Sequence, residues 1–361
     1  MEKQNNVSGM LELMLRPAFC VQNGKIICAN SQAKELGIPV GLPVSDILVT
    51  GAEEYAALNS SSLYLTVQTQ RCRLGASVTQ LDGFDVFTLE PEKMQPELQA
   101  LALASREMRE PLSTLMVSAD RLLPTLDQTD SSVQKHAAGI NRGLHHMLRL
   151  LDNMSDSARY AEDPMPRLEY SNVTALMGEF FDKAAALVED AGITLVFTNH
   201  TEEVRSMVDV EKLRRAVFNL ISNAVKFTPK GGRIEAKLTR HENAVHLTVT
   251  DSGRGIPKDQ FSNLYSRYLR PCTIEDSRHG IGLGMFIVQA AATAHGGTVL
   301  IEQPQEGGTK VTFTMAIRHP SDGNFRSPHG VIIDYSGGRD RGLVELADLL
   351  PSSSFQINKI D

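Results

Sequence analysis

The sequence predicts an α+β protein built from three successive units and a tail: an N-terminal α/β domain over residues 10–92, an antiparallel helical hairpin over 94–162, an α/β sandwich over 167–319 and an extension over 320–361. Three patterns point to this. Short apolar strands alternate with turns through residues 10 to 90, and two apolar runs spaced alternately three and four apart flank the turn-prone DQTDSS. From about Arg167 to His319, strands alternate with amphipathic helices.

The chain has 361 residues, 42% of them hydrophobic, which suits two or three soluble domains. A net charge of −7 argues against nucleic acid or an anionic membrane as the main partner. Apolar runs stay short of a membrane span, and MEKQNNVSGM has no signal-peptide core, so a cytoplasmic location is expected. Cys20, Cys28, Cys72 and Cys272 lack CxxC spacing and are read as reduced thiols.

In the first unit, AFCVQ and KIICAN flank Asn23-Gly24, a hairpin signal, and LYLTVQ, CRLGASV and DVFTLE bring the strand count to five. In the second, Leu98, Leu101, Ser105, Met108, Leu112, Leu115, Ala119 and Leu122 form a heptad seam, repeated by Val133, Ala137, Ile140, Leu144, Met147, Leu151 and Met154. Two such hairpins from two chains make a four-helix bundle, so a homodimer or heterodimer through residues 94–160 is expected. His136, His145 and His146 fall off the seam and are expected at the solvated face.

In the third unit, ITLVF is a strand, DVEKLRRAVFNLISNAVKF a long helix, and RIEAKLTR with AVHLTVT a strand pair. GLGMFIVQAAATAH and the strands TVLIE and KVTFTMAI close it. The tail carries a polar linker, SDGNFRSPH, a strand-like VIIDY and a helical GLVELADLL. It packs on the core or contacts a partner, and the sequence does not choose.

Asn219 and Asn223 sit four apart on one helix face, in NLISNAVKFTP. They are either satisfied core amides or an oxygen pair facing a hydrated magnesium, with Lys226 placed for a phosphate oxygen. DSGRGIP, Asp251 to Pro257, follows a strand; its carboxylate can accept from an exocyclic amine, and Gly253 and Gly255 allow backbone to approach a ring. GIGLGMFIV is a glycine turn opening a helix, a ready anion site.

Together these three motifs resemble the asparagine box and the two glycine boxes of sensor histidine kinases. FSNLYSRYLR resembles their phenylalanine box, with Tyr265, Tyr268 and Arg270, and PCTIEDSRH the nucleotide lid. GGTVLIEQPQEGGTKVTFTM resembles their closing strands with the Gly-Thr pair. The resemblance runs from about Leu98 to Ile317 and implies the ATP-binding sandwich shared with DNA gyrase and heat-shock chaperones. It implies that Asn223 coordinates Mg and that Asn219 stands where hydrolytic relatives carry a general-base glutamate. Asp251 would read the adenine amine, with Phe227, Gly253, Gly255 and Ile256 around the base. Gly280, Gly282, Leu283, Gly284 and Thr309 would shape the phosphate end, and Arg270 would add positive charge at the reaction.

PAFCVQNGKIICANSQAKELG resembles the start of a PAS sensor domain. No residue selects a flavin, haem or other ligand, and a structural or dimerising role is expected. SREMREPL resembles the phosphoacceptor box, which in the family reads Ser-His-Glu-x-x-Thr-Pro-Leu. Here the nucleophilic position is Arg106, while Glu107, the acid/base neighbour, and Pro111 are kept and Glu110 replaces the usual Thr or Asn. A guanidinium offers donors only, so Arg106 cannot accept a phosphoryl group.

The resemblance therefore implies a Mg-ATP-binding histidine kinase homologue of a two-component pathway, partnered by a response regulator or another kinase. The alternatives are an ATP-binding pseudokinase acting as a dimeric regulatory module, and a serine-type protein kinase or plain ATPase of the same superfamily. Asn219 speaks against the last, since it lacks the hydrolytic carboxylate.

Overall fold

A computed structural model of the chain describes residues 2–320 apart from 15, 59–60, 82, 91–95, 127–128, 163–165 and 257–282, and then residues 339–356. Helix α1 (Glu2–Glu12) comes first, with Leu11 buried against the strands that follow. Strands β1 (Ala18–Gln22) and β2 (Lys25–Ala29) form the expected hairpin, and both turn residues, Asn23 and Gly24, take positive φ, 50° and 73°. This is the backbone of a primed two-residue turn, which Asn and Gly reach with least strain.

Asn30 then caps α2 (Ser31–Glu35). Its Oδ1 accepts from the backbone N of Ala33 and of Ala18, both at 3.0 Å, and its Nδ2 donates to the carbonyls of Leu11 and Arg16. One buried amide thus ties α1, β1 and α2 together. Beyond α3 (Ala52–Ala56), β3 (Ser62–Gln68), β4 (Arg73–Leu81) and β5 (Phe84–Leu89) complete an antiparallel sheet in the order β2-β1-β5-β4-β3. Phe19 stacks on Phe87 with ring centroids 4.6 Å apart, and Tyr55 packs edge-on to Phe87 while donating to Asp85 Oδ2 at 2.6 Å.

The hairpin is α4 (Pro96–Leu122) and α5 (Ser131–Glu162), with Pro111 inside α4. The expected seam is divided. On α4, Ser105, Leu112 and Ala119 are buried, whereas Met108, Leu115 and Leu122, also seven apart, stay exposed; on α5, Ile140 and Met147 are exposed as well. The physical reason is that two helices cover only one side of each other. A heptad pattern written for a four-helix core leaves its alternate positions facing outward in a single hairpin.

The third unit contains β6 (Glu169–Asn172) paired with β8 (Arg205–Val208), α6 (Val173–Asp190) capped by Asn172, β7 (Thr194–Asn199) and α7 (Val210–Phe227). They are followed by β9 (Arg233–His241), β10 (Ala244–Asp251), α8 (Gly284–Ala294), β11 (Val299–Glu302) and β12 (Thr309–Ala316). Its main sheet runs β11-β12-β10-β9-β7, antiparallel except for the β7/β9 pair, and α6, α7 and α8 share one apolar core with it. Helices α1 and α6 and strands β6 and β8 carry no motif that singles them out in the sequence. Among the described residues no helix is long and apolar enough to cross a membrane.

The first and third units are not separate in space. Strand β3 pairs antiparallel with β11 (Tyr64 opposite Val299, Leu63 opposite Leu300), joining the two sheets into one of ten strands. Each edge therefore covers the other's unpaired backbone groups. Tyr64 enters the core of the third unit, Leu300 packs against that of the first, and Thr298 Oγ1 donates to Glu54 Oε1 at 3.0 Å.

The tail, which carries α9 (Arg341–Glu345), packs on the core; VIIDY lies outside the described residues. Because the Tyr64 ring fills the joint between the sheets, Tyr64→Ala is expected to destabilise the chain by about 3–5 kcal/mol, as for other buried aromatic truncations. Denaturant unfolding of both proteins measures this, and a loss under about 1 kcal/mol would show the joint to be marginal.

Candidate functional site

Helix α7 sets the site because its start is pinned three ways. Asp209 Oδ1 caps it by accepting from Lys212 N at 3.0 Å, and Oδ2 accepts from Arg167 N at 2.9 Å. The Asp209 backbone N–H donates to His295 Nε2 at 3.0 Å, which fixes the tautomer: Nδ1 carries the proton and donates to Ala291 O at 2.7 Å. Full burial holds the His295 pKa below its ordinary value, which keeps the imidazole neutral as this bond requires.

From that start, Asn219 is buried and Asn223 half-buried one turn later. Asn219 Nδ2 donates to Arg215 O at 2.8 Å, leaving its oxygen toward Gly284 at the head of α8. A Cβ at Gly284 would fall 2.7 Å from that oxygen, so α8 can begin this close only with glycine there. Leu283 beside it is buried. At the end of α7, Lys226 Nζ lies 5.6 Å from the Phe227 ring centroid and the Arg254 guanidinium 5.7 Å from it.

Asp251 ends β10, and its Oδ1 accepts from Gly253 N at 2.8 Å and Thr309 N at 3.3 Å. Burial pushes its carboxyl above the usual range, opposed by those bonds. A Cβ at Gly253 would meet Phe227 O at 2.4 Å, and one at Gly308, where φ is +78°, would meet Asp251 O at 1.9 Å. Gly255, at φ +72°, faces the Gln303 amide, and Ile256 packs on the core.

The structure thus gathers two groups, Asn219 with Gly284 and Phe227 with Gly253, Asp251 and Thr309, around the C-terminal half of α7. Arg270, Gly280, Gly282, Tyr265, Tyr268 and the expected lid lie outside the described residues. Arg106 and Glu107 are exposed on α4, in another element.

Residues 208–319 match the family model for the histidine kinase-, DNA gyrase B- and HSP90-like ATPase. A sensor histidine kinase of Synechocystis, RppB, is 31% identical over 63% of this chain and 50% of its own length. The sensor histidine kinase WalK of Bacillus subtilis is 24% identical over 83% of this chain and 53% of its own. Residues 208–319 thus carry a domain of the histidine kinase-, DNA gyrase B- and HSP90-like ATPase type, within a chain similar to sensor histidine kinases. The chain spans about half the length of those two curated relatives. A crystal structure of full-length ShkA in complex with AMPPNP shares the fold, with a TM-score of 0.51 at 23% identity over 62% of this chain and 46% of that one.

One expectation about the helical hairpin is corrected. His145 is not at a solvated face: it is buried, its Nδ1 bonded to Asn141 O at 2.8 Å and its ring 5.2 Å from that of Phe355. The tail covers it, which the spacing within α5 could not reveal. Burial lowers its pKa. His146 is half-buried and lowered too, by burial first and then by Arg149 and Arg142, while His136 is exposed. Sequence reasoning also missed Arg215, whose only signal was a charge on the otherwise buried face of α7.

Asp251 gives a pH-dependent test. Its raised folded pKa means that the ionised carboxyl costs stability at neutral pH, and that this cost disappears as pH falls through the folded pKa toward the unfolded value near about 3.9. Asp251→Asn keeps an acceptor for Gly253 and Thr309. It should melt no lower than the parent at pH 7, with its advantage shrinking on acidification, and a gap that widened toward low pH would contradict the assignment.

Proposed function

We propose that this chain binds Mg-ATP and serves two-component signal transduction as a histidine kinase homologue in which Arg106 stands at the phosphoacceptor position. The observation that supports this most is the close-packed backbone around Asp251: glycine at 253 and 308 lets Phe227 O and Asp251 O approach where any Cβ would collide. Such a floor leaves room for a flat ring beside a fixed carboxylate. In this reading Asp251 accepts from the adenine amine and Phe227, Gly255 and Ile256 border the base. Asn219 and Asn223 face the phosphates, with Asn223 as the magnesium ligand and Lys226 near a phosphate oxygen. Leu283, Gly284 and Thr309 close the phosphate end, and Arg270, Gly280 and Gly282 belong to the same site. Magnesium would neutralise phosphate charge and orient the γ-phosphoryl group.

Residues 10–92 are proposed as a PAS-like unit without a committed ligand, 94–162 as the dimerisation hairpin, 167–319 as the ATP-binding domain and 320–361 as an extension. The exposed stripe of Met108, Leu115 and Leu122 beside Ile140 and Met147 supports a dimeric four-helix bundle, as homodimer or heterodimer. A response regulator or a partner kinase would be the downstream contact, in the cytoplasm. Leu115→Glu is expected to convert the dimer to a monomer in light scattering, and a dimer that survives it would rule out this face.

Two observations favour a second reading, an ATP-binding pseudokinase that regulates by binding. Arg106 is exposed but has no lone pair to attack phosphorus, and His145, elsewhere in the hairpin, is buried beneath Phe355. Calorimetry with Mg-ATP, using Asp251→Ala as the blank, tests the nucleotide site, and γ-labelled phosphate tests transfer. Binding without acid-labile label is expected for the parent. Label absent from the blank would overturn the loss of autophosphorylation, and label gained by Arg106→His would show that the geometry for transfer persists.

A further inference from the structure

The tail lies across the boundary between hairpin and ATP-binding unit. Asp340 caps α9, accepting from Leu343 N at 3.0 Å, and pairs with Lys183 of α6 at 2.8 Å, while Arg339 reaches Asp120 of α4 at 2.7 Å. Val344 belongs to the hairpin's apolar cluster; Leu343, Leu346, Leu350 and Phe355 belong to the other unit's core. Phe355 O accepts from Asn141 Nδ2 at 3.3 Å, and Arg142 of α5 donates to the carbonyls of Ala347 and Asp348.

Among the described residues, the polar bonds between α5 and α7 run through two arginines. Arg215 donates to Asp156 Oδ2 and to Asn153 Oδ1, both at 2.8 Å, and Arg149 donates to Ser222 Oγ at 2.7 Å. Both arginines are buried, and burial pulls the Arg149 guanidinium down to about 10. Buried ion pairs give little net attraction once desolvation is counted. The tail adds to this interface beside the direct packing of α5 on α8: Glu345 bonds Arg215, Asp348 bonds Arg149, and the apolar side chains of the same segment bury surface on both sides. The ATP-binding unit is already fixed to the N-terminal sheet through β3 and β11. The hairpin is therefore the part whose position depends on the tail.

We propose that residues 339–356 form a built-in strap that pins α5 to the ATP-binding unit in one orientation, so that release of this segment is the step that lets the hairpin move. The proposal does not depend on nucleotide binding. To test it, spin labels are introduced in the full chain as non-natural amino acids at Lys135 on α5 and Lys237 on β9, both exposed, leaving the native cysteines in place. The parent should give one narrow distance distribution. Glu345→Gln combined with Asp348→Asn should broaden it, with amide exchange in residues 141–156 about ten-fold faster or more while β10 stays protected. An unchanged distribution, or exchange that rises equally in α5 and β10, would overturn the strap. Should the charge variant fail to fold, Phe355→Ala decides by the same two readouts, broadening confined to the hairpin supporting the strap and a narrow distribution overturning it.

Discussion

A guanidinium 2% exposed, held between Asp156 of the hairpin and Glu345 of the tail, joins three parts of the structure at helix α7, and much of the arrangement follows from that helix. Arg215 cannot leave this environment without stranding a buried charge, a far larger cost than the net attraction it contributes in place. Its backbone carbonyl accepts from Asn219, one turn on, and Ser222 on the same helix is held by Arg149. One face of α7 is thus committed to the hairpin while Asn219 turns its oxygen toward Gly284. Because a helix is stiff over this length, the position of the asparagines and the docking of the hairpin are set together.

A second route reaches the same region through the sheet. β11 pairs with β3 of the N-terminal unit, and the turn after it brings Gln303 against Gly255 and Gly308 against the carbonyl of Asp251. Strain at the β3–β11 joint would thus be felt within a few residues of the buried carboxylate, through backbone contacts too close to yield smoothly. The hairpin therefore meets α7 through charge, while the N-terminal unit reaches the neighbourhood of Asp251 by way of β11 and the turn after it.

Much of this was legible in the sequence wherever one residue type has one geometric use. Asn23-Gly24 specifies its turn, Asn30 precedes the helix it caps, and the period of the α7 stretch gives a helix of the right extent. What stayed hidden depends on contacts between distant segments. The same spacing of Ser105, Met108, Leu112 and Leu115 fits both a hairpin core and an outward stripe, and only the packing of α5 separates them. His145 looked like a surface residue because Phe355, which covers it, lies far along the chain. α6 has an amphipathic pattern but no chemical motif that marks it, so it is not distinguished from its surroundings in the sequence.

The residues proposed for the nucleotide site also hold up the fold, which bears on what their presence means. Asp251 receives Gly253 and Thr309, Gly284 lets α8 start against Asn219, and Gly308 lets a turn close over Asp251 O. Losing any of them would create a collision or an unpaired backbone donor, so they persist for stability even where no phosphate is moved. An acceptor at position 106 carries no such burden: it is exposed on α4, and its replacement costs the fold little. If residues 105–112 form the phosphoacceptor box that the proposed function assigns to them, the nucleophile can be lost without cost to the packing around Asp251, and the chemistry at 106 is decided by the side chain there.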